Sequence, residues 1–333
     1  MKITAFFPRR LGMGALAAIL CSACQKEGVN PATSTAGLTK SALTVGVVPV
    51  LTWWTSGGDI PYNFKPGNPP LSETGSIGFT INNKGYVMDG QFPMTNGNYI
   101  WLQALWMFDP ATQSWSKQSM ASDLFLIGTE SLFVIGDNAY VVTGNQVWQY
   151  NQPSNQWTQK HDFPGAPRLA GSAVAIDGKG YFGLGSETNG DVKDWWQYDP
   201  AGDSWTRLHD FAGEPRDWAQ TFSLSGKGYV LFGGDNTIQY RTVWQYDPIT
   251  DTWTRRQNCP AGGMTAGATA TIGGVAVGLI TDGANVWEYN PATDGWSEEG
   301  PIAGGPRVGP AGFVVGNSYF LCNISVDVYN WSR

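Results

Sequence analysis

Three arginines and a glutamate, Arg168, Arg216, Arg307 and Glu73, recur at one position of a repeating sequence. Each stands thirteen residues before a repeated tyrosine position, or twelve in the last copy, and Ile127 and Met264 fill the same place in the remaining copies. A guanidinium fork suits a carboxylate. Trp218 follows Arg216 by two residues, and Tyr62, Phe92, Tyr99, Trp101, Trp195 and Tyr240 lie in the neighbouring connections. Aromatic faces of this kind suit sugar rings or peptide side chains. Glu73, with Glu214 and Asp217 close to Arg216 in the chain, supplies carboxylates of the type that move protons in general acid–base work. The same arginines have a second reading. A Pro-Arg step is part of the repeat, and a repeated arginine can serve by bonding loop carbonyls.

Other chemistry finds no support. His161 and His209, the two histidines, occupy one repeat position, His-Asp-Phe; a shared repeat position argues for structure, and two histidines in separate repeats make no metal cluster. No Ser-His-Asp set, phosphate loop or metal-ligand spacing emerges, so neither a metal nor a cofactor is expected. The net charge is −7, from 27 acidic and 20 basic residues, with no basic run. Nucleic acid and anionic membrane surfaces are poor partners for such a chain.

The elements that must carry these residues are strands. Among 333 residues there are 43 glycines, 20 prolines and 16 tryptophans, and only 14% are charged. The runs of Ala, Leu, Glu, Lys and Arg that build long helices are missing after the first twenty residues. Trp106, Trp148, Trp196, Trp244 and Trp287 each open a W-x-[YF]-[DN] segment, and nine residues later stand Trp115, Trp157, Trp205, Trp253 and Trp296. Upstream of each pair lie an apolar strand, a Gly/Asn turn and a second strand. The second strands carry Tyr86, Tyr140, Tyr181, Tyr229, Val277 and Tyr319, preceded by the small residues Gly85, Ala139, Gly180, Gly228, Ala276 and Ser318. A small residue there lets a neighbouring ring approach the backbone. Each unit predicts four short strands, one blade of a β-propeller.

The order and residue types resemble Kelch repeats over nearly all of the chain after Val48, with the Kelch double glycine at Gly233-Gly234. The resemblance implies an all-β, six-bladed propeller of four-stranded antiparallel blades. The last copy stops after its third strand (Val308 to Tyr329), and Thr52-Trp53-Trp54-Thr55 resembles a fourth strand without a partner. Joining them closes the last blade and removes an exposed edge. In such a meander the 2–3 loops and blade-to-blade connections share one face. They vary in length, and variable loops on a rigid scaffold are where binding resides. The expected site is therefore the channel mouth on that face, with Glu73, Arg168, Arg216, Trp218 and Arg307 in open contact with solvent. A noncatalytic module for a glycan or protein ligand fits best. The alternative comes from resemblance: FPGAPR and FAGEPRDW are similar to the repeat starts of periplasmic sialic-acid mutarotases, which implies proton transfer on an acidic sugar. Secreted Kelch-like copper radical oxidases need histidine and tyrosine ligands at the mouth, where this chain has no histidine.

The first 24 residues read as an address. Lys2, Arg9 and Arg10 precede a short apolar run, Leu11 to Cys21, and Ser22-Ala23-Cys24 resembles a bacterial lipobox with Cys24 as the lipidated residue. An ordinary secretory signal cleaved nearby is the alternative. Residues 25–48, rich in Ser, Thr, Ala and Gly, form a tether, and residues 49–333 form the propeller. The expected location is the cell envelope, with membrane contact only through the lipid. Cys259 and Cys322 are separated by a whole repeat and are expected as two buried thiols rather than a bridge.

Overall fold

The computed structural model divides into two units, residues 1–47 and 48–333. It describes residues 52–56, 76–88, 91–93, 99–101, 103–126, 130–235, 237–260, 266–272, 275–281, 285–301, 311–316, 318–322 and 328–332. The leader, Cys24 and the tether lie outside the described residues.

The described residues form six four-stranded antiparallel sheets and two short two-stranded ones. Sheet 1 holds Ile77–Ile81, Lys84–Met88, Leu105–Asp109 and Ser114–Lys117; sheet 2 holds Ser131–Ile135, Asn138–Thr143, Gln146–Asn151 and Gln156–Lys160. Sheet 3 holds Ser172–Ile176, Lys179–Gly183, Trp195–Asp199 and Ser204–Arg207; sheet 4 holds Asp217–Leu224, Lys227–Gly234, Val243–Asp247 and Thr252–Arg256. Sheet 5 holds Ala266–Ile272, Val275–Thr281, Asn285–Asn290 and Gly295–Pro301; sheet 6 holds Ala311–Val315, Ser318–Cys322, Val328–Ser332 and, outermost, Thr52–Ser56. The first strand of each sheet touches the first strands of the sheets before and after it, and sheet 6 meets sheet 1 in the same way. This is a β-propeller arrangement, with no helix among the described residues.

The nine-residue tryptophan spacing has a backbone cause. Gln113, Asn155, Asp203, Asp251 and Asp294 stand two residues before the second tryptophan of each pair, and all have φ between 46° and 54°. Asn and Asp tolerate this left-handed conformation, so the 3–4 turn has one length. The same side chains serve twice more. Tyr198, Tyr246 and Tyr289 donate their hydroxyls to Asp203, Asp251 and Asp294 at 2.6, 2.8 and 2.8 Å. The backbone N–H groups of His161, His209 and Gln257, which follow the fourth strand of the preceding sheet, donate to those three carboxylates in turn. The turn thereby clasps one sheet to the next.

Inner packing follows the small residues. A Cβ at Gly180 would collide with the Phe133 ring of sheet 2, and one at Gly85 with Phe313 of sheet 6. Those phenylalanines stack on tyrosine or phenylalanine across their own strand pair: Phe133 on Tyr140 at 5.2 Å, Phe313 on Phe320 at 5.1 Å. Cross-strand aromatic pairs of this kind add to sheet stability.

Two registers differ from the sequence reading. In sheet 6 Phe320, not Tyr319, pairs with Phe313, so Arg307 falls on the same thirteen-residue count as the other arginines. The third strand of that sheet runs on to Ser332, and Thr52–Ser56 pairs with Val328–Ser332 instead of the stretch ending at Tyr329. In sheet 5 Tyr289 pairs with Gly278, where Tyr198 and Tyr246 pair with Gly180 and Gly228. Gly278 rather than Ala276 meets the aromatic ring of the preceding sheet, Phe222.

Candidate functional site

Arg168 and Arg216 enter the innermost strands of sheets 3 and 4 from the connections before them. Each guanidinium folds under its own loop. Arg168 is 4% and Arg216 1% exposed, which corrects the expectation of solvent-open arginines at the mouth. A buried cation must be hydrogen-bonded, and both arginines meet that demand through a shared pattern.

The Arg168 Nε donates to the Ala166 carbonyl at 3.4 Å, and Nη1 donates to the Leu184 carbonyl at 3.2 Å. Nη1 also bonds Asp194, whose other oxygen accepts from Nη2 at 2.9 Å, while Glu187 accepts from Nη2 at 2.8 Å. The cation lies over the Phe163 ring, 4.7 Å from its centroid. Burial pushes the Asp194 carboxyl up, but hydrogen bonds from Arg168 and the Trp196 indole outweigh it and hold the group below the usual carboxylate range. The loop between the second and third strands, with its small hairpin Ser186–Glu187 and Gly190–Asp191, is thus pinned by one ion cluster.

Arg216 repeats this pattern 48 residues later, with one change. Its Nε donates to the Glu214 carbonyl at 3.0 Å and its Nη1 to the Phe232 carbonyl at 2.9 Å. Where Asp194 stands 26 residues after Arg168, Thr242 stands 26 after Arg216, and its hydroxyl accepts from Nη1 at 2.8 Å. The place of Glu187 falls to Asp235, which instead accepts from Thr237, Ile238 and the Tyr240 hydroxyl. The Arg216 cation lies over two rings, 4.9 Å from the Phe211 centroid and 4.3 Å from that of Tyr240. Burial pulls the Arg216 guanidinium down to about 10, so it remains charged at neutral pH. Hydrogen bonds to Thr237, its hydroxyl foremost, hold Asp235 well below the usual range.

Trp218, two residues on, is the exposed member. It is 39% exposed and has φ +52° in the strand Asp217–Leu224. For a bulky residue the left-handed region is strained. The neighbouring sheet fixes it: the Trp218 N–H donates to the Ala170 carbonyl at 3.0 Å, and the Arg216 carbonyl accepts from Gly185 N–H at 2.8 Å. These bonds hold the Trp218 backbone against Ala170, whose chain neighbour Leu169 is 44% exposed and is itself bridged to Ser186. Ile238, on the tip of the Asp235 turn, is exposed as well.

Glu73, Arg307, Tyr62, Ile127 and Met264 lie outside the described residues. Trp195, expected in a surface loop, is fully buried and packs edge-on against Trp253 at 5.3 Å. His161 and His209 are exposed, each with Nδ1 against the backbone carbonyl of Asp203 or Asp251, which makes their repeat position part of the inter-sheet clasp. Among the described residues no group of histidine, cysteine and carboxylate side chains is placed to hold a metal. Cys259 is buried in the core of sheets 4 and 5. Asp194, Glu187 and Thr242 were not singled out from sequence; the signal for Asp194 and Thr242 was that each stands 26 residues after its arginine.

No protein-family model matches the chain, and no curated protein matches it. Among solved structures, that of YjhT is similar with a TM-score of 0.50 and 19% identity, covering 58% of this chain and 71% of that one. The likeness is one of propeller-type fold.

Proposed function

We propose that this chain is a Kelch-type propeller of six blades, one per four-stranded sheet, exported and anchored to the cell envelope through a lipid on Cys24. It acts as a noncatalytic binding module for a glycan or protein ligand, at the face of the 2–3 and blade-to-blade loops. Trp218 carries the reading: a large aromatic, 39% exposed and held in a strained conformation, on a strand that cannot shift without breaking bonds to the neighbouring connection. Rigid exposed aromatics are the usual anchors of binding surfaces.

The carboxylates of this face argue for binding over catalysis. A general base works best with a pKa near the working pH, whereas Asp194 and Asp235 are held below the ordinary range by the hydrogen bonds they accept. The mutarotase reading rests on Glu73 with the arginines, and Arg168 is already committed to Asp194 and Glu187.

The test is a glycan and peptide screen on wild type and Trp218→Gly, run beside an NMR assay of sialic-acid anomer exchange. The binding reading expects a ligand whose affinity falls at least tenfold in the variant, and no exchange. Measurable exchange by wild type overturns it in favour of the mutarotase. Export is tested separately: Cys24→Ala should release a soluble form, and unchanged partition into detergent would refute the lipid anchor.

A further inference from the structure

Arg168 and Arg216 form an internal comparison. They share the carbonyl two residues upstream, the carbonyl 16 residues on, the partner 26 residues on and the phenylalanine five residues before. They differ in counter-charge. Arg168 has two carboxylates; Arg216 has none within ion-pair distance among the described residues, and its Nη2 has no acceptor there. A guanidinium that is 1% exposed is costly to bury without an ion pair, and the carboxylate pair that holds Arg168 has no counterpart bonded to Arg216 among the described residues. The ring over it is lightly held: Tyr240 is half-buried, and its hydroxyl makes one bond, to Asp235 at 2.9 Å.

We infer that Arg216 is the recognition point for a ligand carboxylate, which takes on Nη2 the place that the Asp194 and Glu187 oxygens take on Arg168. The Tyr240 ring turns aside to admit it, a side-chain change of the kind common on binding. The surroundings define the rest of the ligand. Trp218 is exposed two residues from Arg216, and exposed Leu169 and Ile238 lie in the segments whose backbones bond next to it, at Ala170 and at the turn after Gly234, so the carboxylate belongs to a molecule with an apolar body next to it. This inference rests on the reading of the loop face as a ligand face.

The comparison supplies its own test. Thr242→Asp places a carboxylate at the position of Asp194 and fills the site from within, whereas Thr242→Asn has the same size without the charge. The probe is benzoate, with benzamide as the neutral control, titrated by ligand-observed NMR. Wild type and Thr242→Asn should bind benzoate at least tenfold more tightly than benzamide. Thr242→Asp should lose that preference and melt at a higher temperature. The inference is overturned if wild type does not discriminate between benzoate and benzamide, a measurement that needs no variant. It is also overturned if a folded Thr242→Asp retains the preference. Failure here combined with a ligand lost in Trp218→Gly would leave the binding face standing and remove only the carboxylate. Absence of any ligand dependent on Trp218 would remove the face itself.

Discussion

The Tyr240 ring lies over the Arg216 guanidinium at 4.3 Å while its hydroxyl donates to Asp235 at 2.9 Å. A cation over an aromatic face gains about 0.5–2 kcal/mol, and here it supports a guanidinium that has no ion pair among the described residues. The phenol is shifted up, first by burial and then by the bond to Asp235, so it stays neutral and keeps donating at physiological pH.

Arg216→Ala is therefore expected to unsettle the loop as well as any ligand. Three hydrogen bonds and two ring contacts go with it, and the loss should be about 2–4 kcal/mol. Chemical denaturation reads this directly; a stability loss under about 0.5 kcal/mol would show that the buried arginine does not hold its loop.

Trp218→Gly should cost less. Glycine adopts a φ of +52° freely, and relief of the strain is worth about 1 kcal/mol, which offsets part of the burial lost from an indole that is 39% exposed. The melting temperature should fall by less than in Arg216→Ala, and loss of ligand is read on protein shown to be folded. A fall as large as that of Arg216→Ala would mean that the indole is a packing residue.

Asp194 gives a pH signature. Its folded pKa lies below the unfolded value of about 3.9. The stability it contributes is complete above that value and is lost as pH falls through the folded pKa. Asp194→Asn should cost about 2 kcal/mol at pH 7, since Glu187 still faces the buried Arg168. The gap between wild type and variant should narrow below pH 4. A gap that stays constant from pH 7 to 2.5 would assign the effect to shape instead of charge.

Gly180→Ala forces a methyl group into the Phe133 ring. Overpacking of this kind costs about 1–3 kcal/mol, and a thermal melt should show it. An equal melting temperature would mean that sheets 2 and 3 are not in close contact there.

What could be read from sequence was whatever the backbone repeats locally. The nine-residue tryptophan spacing is legible because a left-handed Asn or Asp fixes the turn, and Gly85 and Gly180 are legible because a ring must pass them. Bonding of Arg168 and Arg216 to loop carbonyls was one of two open readings and is what the structure shows, but their burial was not legible. Its causes are a carbonyl 16 residues away and a side chain 26 away, spanning a loop whose composition has no period to follow. The two-residue slip in sheet 5 was hidden for a related reason. Ile272 pairs with Val275 as Ile176 pairs with Lys179, and the change lies in the pairing of the next strand.

The pairing of Thr52–Ser56 with Val328–Ser332 also orders events in time. A chain delivered N-terminus first presents its earliest strand long before the partner exists. Sheets 1 to 5 can assemble as their residues arrive, because each is built from consecutive strands, but the first strand stays unpaired until residue 328 follows. Contacts of such sequence separation form slowly. Throughout that interval two sticky borders are on offer, the lone first strand and the last strand laid down. A chain truncated near its C-terminus never leaves this stage, so its fate should be self-association through those borders rather than a simple loss of one sheet.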